Sequence, residues 1–101
     1  MELKFYPVDK LKKQIAGVIR KHLNLDDYRV FFFGSRVNGR ASERSDIDVG
    51  IKGENEIPFE IMAEIKSEVS NLPILYKIDV VDFMALSKDF SCVAEKDIEP
   101  I

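Results

Sequence analysis

The sequence predicts a small α/β (α+β) fold, a small mixed β-sheet with helices packed on it, and three observations predict it. Segments with apolar residues at helical spacing alternate with short runs rich in β-branched and aromatic residues, so helices and strands interleave along the chain. One of those runs alternates strictly between apolar and polar residues, the period of a strand. The link between the first two strands is short, whereas the link between the second and third passes through a helix, which makes the sheet mixed.

The first helix opens at Asp9, a residue type suited to the N-cap, and carries Leu11, Ile15, Val18, Ile19 and Leu23 on one face before ending near Asn24. Tyr28 to Phe33 is too short for a helix and is closed by Gly34 and Ser35, which reads as a buried strand. In Asp46 to Ile51, Ile47, Val49 and Ile51 occupy one face while Asp46, Asp48 and Gly50 occupy the other. Pro58 then opens a helix in which Ile57, Ile61, Met62, Ile65, Val69 and Leu72 recur at helical spacing up to Pro73. Tyr76 to Phe83 reads as the third strand. Ser87 caps a short last helix expected to turn Phe90, Val93 and Ala94 inward, and Ile98 to Ile101, with Pro100, reads as a tail.

A chain of 101 residues is expected to form one domain, residues 1–101, around one core. Its apolar fraction of 46% and charged fraction of 33%, with both signs interspersed, are those of an ordered globular protein. The net charge of -3 argues against a protein whose main work is coating nucleic acid, because that binding rests on neutralising phosphates. Val30 to Phe33, an apolar run as long as any in the chain, is far short of a membrane span, and the opening residues lack the core of a signal peptide; the cytoplasm is the expected location. Cys92 stands alone, so it has no internal disulfide partner and reads as a filler on a helix.

The chemistry concentrates between the first two strands. Gly34 and Ser35 follow the first strand directly, and ten residues, Arg36 to Ser45, separate them from Asp46-Ile47-Asp48. A glycine at the end of a buried strand lets backbone approach a bound group, and a short helix starting near Ser35 would aim its free amides and the serine hydroxyl at an anion such as a triphosphate. Asp46 and Asp48 are two apart on a strand and project from one face, roughly 6 to 7 Å apart at the backbone. Their oxygens can converge on hard cations, and phosphoryl-type transfer with two metal ions calls for more than two carboxylates. The third strand offers Asp79. Asp82, at that strand's end, fits a turn-capping role, and Lys77 shares the face of Asp79 as its charge partner or a phosphate contact. Arg36, Arg40 and Arg44 border any triphosphate held at Ser35, and Arg36 is the preferred contact.

Gly-Ser, ten residues, Asp-x-Asp and a further Asp within an apolar strand (Ile78-Asp79-Val80) resemble the signature of the polymerase β-like nucleotidyltransferases. The resemblance covers most of the chain, and the small size is similar to that of the minimal, MntA-like members. It implies that Gly34 and Ser35 hold the triphosphate of ATP, that Asp46 and Asp48 bind two Mg²⁺ ions, with Mn²⁺ as the substitute, and that Asp79 helps bind one metal and orients or deprotonates the acceptor hydroxyl. It further implies a helical HEPN partner encoded nearby, a toxin silenced by attaching AMP to a tyrosine.

Other motifs fail on inspection. Gly34 and Gly39 followed by Arg40-Ala41 imitate a P-loop but lack its lysine and its hydroxyl, and the run from Asp46 misplaces the glycine of a calcium loop and has Ile57 at its twelfth position. His22 reads as a satisfied structural histidine. Two rival functions stay open: an antitoxin that only covers its partner, and a small-molecule nucleotidyltransferase of the antibiotic-modifying kind. Three convergent acids favour catalysis over the first. The few residues after Asp79 disfavour the second, whose larger relatives use an extra helical domain to hold the acceptor.

Overall fold

An apolar stripe on a helix needs a surface to cover it, and Leu11, Ile15, Val18 and Ile19 of α1 (Val8–Arg20), all buried, meet theirs on one face of a β-sheet. The structure, a computed structural model, describes residues 1–42 and 44–101. The helix begins before the expected Asp9. Pro7 is the N-cap, and Asp9 sits in the first turn, where its charge faces the positive end of the helix without capping it. The helix also stops short of Asn24, because the amides of Lys21 and His22 bond to the carbonyls of Val18 and Ile19, three residues back, and tighten the end into a turn. Leu23 remains buried there. His22 is structural, as expected: Nε2 lies 2.7 Å from Glu68 and Nδ1 3.2 Å from Glu64, tying the end of α1 to α3 (Phe59–Ser70). The hydrogen bond to His22 holds the Glu68 carboxyl below its usual range.

Among the described residues the sheet has four strands, β1 (Arg29–Phe33), β2 (Ile47–Lys52), β3 (Ile78–Asp82) and β4 (Glu99–Pro100), in the order β3-β2-β1-β4. It is mixed: β1 is antiparallel to β2 and β4, while β2 and β3, joined through α3, are parallel. The expected tail is therefore β4. Pro100 pairs with Phe31, Glu99 with Phe32, and the Ile101 amide donates to the Val30 carbonyl at 2.9 Å. A proline is tolerated because this is an edge strand. Glu99 is also ion-paired to the Met1 amino group and, at 3.0 Å, to Lys12.

The two faces of the sheet differ. Ile47, Val49 and Ile51 of β2, fully buried, join Val30, Phe32 and Val80 against α1 and against Met62, Ile65 and Val69 of α3. On the opposite face Phe31, Phe33 and Phe83 form a second cluster, with Phe83, the first residue of a 3₁₀ turn (Phe83–Ala85), edge-on to both other rings at 4.9 Å between centroids. α4 (Lys88–Ala94) starts as expected, with the Ser87 hydroxyl accepting from the Phe90 amide. Its orientation is not as expected. Only Ala94 of the three named residues packs on the aromatic cluster, while Phe90 and Val93 are exposed. Three phenylalanine rings occupy the space beneath the helix, and the Lys52–Glu95 ion pair at 2.7 Å tethers its end. Asp82 caps, also as expected: its carboxylate accepts from the Met84 amide and, at 2.7 Å, from the Ile57 amide. Among the described residues no helix is long and apolar enough to cross a membrane.

Gly50 lies beneath the aromatic cluster, where an added Cβ would stand 2.5 Å from the Phe31 ring and 2.7 Å from Phe83. Gly50→Ala is expected to destabilise the fold by about 1–3 kcal/mol through overpacking. Gly17, on α1, has nothing within 4 Å of such a Cβ, so Gly17→Ala is expected to stabilise by up to about 1 kcal/mol through helix propensity. Urea denaturation midpoints of the two variants should move in opposite directions, and a shared direction would refute this packing account.

Candidate active site

β1 ends at Phe33, and the chain must then turn sharply out of the sheet. Gly34 makes that turn with φ +80°, a region that side chains with a Cβ rarely adopt, and serves as N-cap of the short helix α2 (Ser35–Asn38). The same position is sterically closed: an added Cβ would sit within contact distance of Asp48 Oδ2 and 3.3 Å from its Cγ. The carboxylate of Asp48 therefore rests against bare backbone at the phosphate-turn candidate. Ser35 is the first residue of α2, which has no side-chain cap, and Gly39 ends it in the left-handed conformation with φ +82°.

Strand register sets the three carboxylates at one end of the sheet, although among the described residues their side chains do not gather into a cluster that could hold a metal. Asp48 pairs laterally with Asp79 in the parallel β2–β3 ladder and with Phe33 in the antiparallel β1–β2 ladder, so Asp48, Asp79 and the Gly34 turn lie at the same end of the sheet. Asp46 sits just before β2, where the Ile47 amide donates to the Lys77 carbonyl at 2.9 Å and brings the two strands together. Lys77 approaches Asp46 at 3.8 Å, not the expected Asp79. The register pairs its neighbour Ile78 with Ile47, which sets Lys77 level with Asp46, and at this exposed separation the pair adds little stability. Partial burial first, and then the charges of Asp79 and Asp46, push the Asp48 carboxyl above its ordinary range.

Arg36 lies beside this site in a supporting position. Its Nε and Nη2 both donate to the Ser45 carbonyl, at 3.0 and 2.8 Å, and its guanidinium lies 5.1 Å from the centroid of the Tyr76 ring. It thus clamps the residue that precedes Asp46 and lines neither cavity that reaches Asp48. Two cavities lined by described residues reach Asp48. One, about 510 Å³, includes Asp79, Ile78, Val81 and Leu86; the other, about 280 Å³, includes Gly34, Asn38 and Val93. Phe33, Asp48 and Phe90 line both. Phe90 was not among the candidate site residues, since helical periodicity assigned it to the core.

Similarity to known proteins agrees with this geometry. The family described as polymerase beta, nucleotidyltransferase, matches residues 13–97. The chain is 34% identical over 88 residues to the Probable protein adenylyltransferase MntA of Haemophilus influenzae, covering 85% of this chain and 77% of that one. The fold matches a solved minimal nucleotidyltransferase with a TM-score of 0.69 at 20% identity, covering 97% of this chain and 99% of the other. It also matches a solved complex of a tri-AMPylated Shewanella oneidensis HEPN toxin with an MNT antitoxin, with a TM-score of 0.68 at 14% identity over 91% of this chain and 69% of that one.

The upward shift of the Asp48 carboxyl has a stability consequence. The folded state holds the Asp48 proton more tightly than the unfolded chain, so stability falls as pH rises from the ordinary value of 3.8 through the higher folded value, and the cost is complete at neutral pH. Asp48→Asn, which keeps the shape and removes the charge, is expected to raise the thermal midpoint at pH 7, with the gain shrinking towards pH 3.5. Parallel melting profiles for wild type and variant across that range would show that the charge is not strained.

Proposed function

The chain belongs to the polymerase β nucleotidyltransferase family, and from that premise we propose that residues 1–101 form one nucleotidyltransferase domain that moves AMP from ATP to a hydroxyl of a protein partner. The observation that carries this reading is the register that sets Asp48 beside Asp79, against the Gly34 turn. The partner is a HEPN-type helical protein encoded nearby and the acceptor a tyrosine, with this chain as antitoxin. Supporting this, a structural neighbour is an MNT antitoxin bound to an AMPylated HEPN toxin, and the Haemophilus relative bears a protein adenylyltransferase name.

The donor set suits Mg²⁺ or Mn²⁺: three carboxylates from neighbouring strands offer oxygen ligands only, and Asp48, strained by burial and by Asp79 and Asp46, gains from a cation between them. Among the described residues the side chains as placed do not gather three metal-ligating groups, so closing the site requires side-chain rotation on the fixed backbone register. Two ions held there would neutralise the triphosphate and the charge developing on the attacking and leaving oxygens. Gly34 admits the phosphates to the backbone, the Ser35 hydroxyl and the first amides of α2 donate to their oxygens, and Arg36 keeps Ser45 and Asp46 in place beside them. Asp79 orients the acceptor hydroxyl and receives its proton. The acceptor oxygen bonds to the α-phosphorus, the bond from that phosphorus to the β-bridging oxygen breaks, and pyrophosphate leaves with the electron pair.

The open spacing of the acids gives some support to a second reading, an antitoxin that acts by covering its partner. One experiment separates the two. With ATP, Mg²⁺ and the HEPN-type neighbour, the wild-type chain is expected to add AMP to the partner, seen by intact mass spectrometry, while the Asp46→Ala, Asp48→Ala double variant binds the partner and adds nothing. Equal inhibition of the partner by both, with no mass increment, would leave covering as the function.

A further inference from the structure

Phe90 was expected to face the core, yet 53% of it is exposed, on a helix that buries Ala94 instead. Exposure alone does not single Phe90 out, since Phe59 and Leu75 are more exposed, but its surroundings do. Of the three residues shared by the two cavities at Asp48, Phe33 is a buried floor, only 6% exposed, and Asp48 is the carboxylate itself. Phe90 is the exposed side chain at the divide. Its helix is capped at its start by Ser87 and tied to β2 near its end by the Lys52–Glu95 ion pair, so the ring stands on a formed and tethered element.

The two cavities suit a displacement at phosphorus, in which the attacking and leaving oxygens must lie on opposite sides. One is bounded by Gly34, the other by Asp79, and they meet at Asp48. Resting on the adenylyl-transfer reading above, we infer that Phe90 is a positioning residue, the wall between the leaving side and the attacking side. The acceptor hydroxyl enters past Asp79, gives that carboxylate its proton and forms the new bond to the α-phosphorus. Pyrophosphate departs on the Gly34 side with the electron pair of the broken bridge. The larger cavity is lined by Lys66 and the two acids as well, but Val81 and Leu86 with Phe90 itself give its Asp79 side an apolar surface, which favours an acceptor carried on an aromatic or apolar stem over water.

The test compares wild type, Phe90→Ala and Phe90→Leu, using ATP, Mg²⁺ and the HEPN-type partner, and measures AMP transferred, free AMP released by hydrolysis, and ATP affinity by calorimetry. Phe90→Ala is expected to lower kcat/KM for transfer roughly tenfold and to raise the share of ATP lost to water, with ATP affinity within about twofold of wild type. Phe90→Leu should restore most of the transfer. The inference is overturned if ATP affinity falls in step with transfer, which makes the ring a nucleotide contact. It is also overturned if only the partner's KM rises with the hydrolysis share unchanged, which makes it a docking contact, or if nothing changes. A wild-type chain that neither binds ATP with Mg²⁺ nor transfers AMP sinks the adenylyl-transfer reading, and the Phe90 role with it. Intact ATP binding and transfer in Phe90→Ala sinks only the latter.

Discussion

The parallel pairing of β2 with β3 is the constraint on which the site depends. A pleated strand sends alternate side chains to opposite faces, so a slip of one residue would carry Asp48 into the space that Val49 fills. The register is locked from the apolar side, where Ile47, Val49, Ile51 and Val80 are packed against α1 and α3. The core thus sets which carboxylates meet: with Val49 level with Val80, Asp48 has to be level with Asp79. Hydrophobic burial on one face dictates the chemistry available on the other.

What that arrangement costs is local electrostatic strain. Asp48 is partly buried, lies near two other acids and presses on a glycine that has no side chain to move aside. An arrangement favouring fold stability alone would separate these charges. The surrounding devices hold them in place instead: Arg36 pins Ser45 immediately before Asp46, Gly34 accepts a backbone conformation closed to other residues, and the rings of Phe31, Phe33 and Phe83 fill the remainder of the same face. Such a conflict is relieved by a cation, which is why acid-rich strand ends suit phosphoryl chemistry.

The acid face of the sheet is divided between an apolar part and a polar part. Gly50 lies under the aromatic rings, whereas Asp48, one pleat repeat away on the same strand, opens to both cavities. α4 sits at that boundary, and its outward Phe90 lines both cavities.

Much of the fold was legible because its signals are local. The apolar spacing of α1 and α3, the alternation around Asp48, the glycine after β1 and the capping roles of Asp82 and Ser87 all follow from residues a few positions apart. Three features could not be read that way. A two-residue strand containing Pro100 carries no periodicity, and β4 exists only because the edge of β1 lies within reach of its backbone. Arg36 was the loop cation preferred for a phosphate contact, and its two hydrogen bonds to the Ser45 carbonyl carry no sequence signal of their own. Phe90 and Val93 have the spacing of a buried stripe, yet the space below α4 is taken by rings from β1 and from the turn after β3. The sequence by itself determined the three longer helices, the first three strands, the mixed sheet and the strand positions of the acids, since these rest on backbone periodicity and side-chain type. Tertiary structure alone decided the partners of Arg36 and Lys77 and the outward turn of Phe90, because each depends on the volume and distance between elements once they have packed, which no local periodicity records.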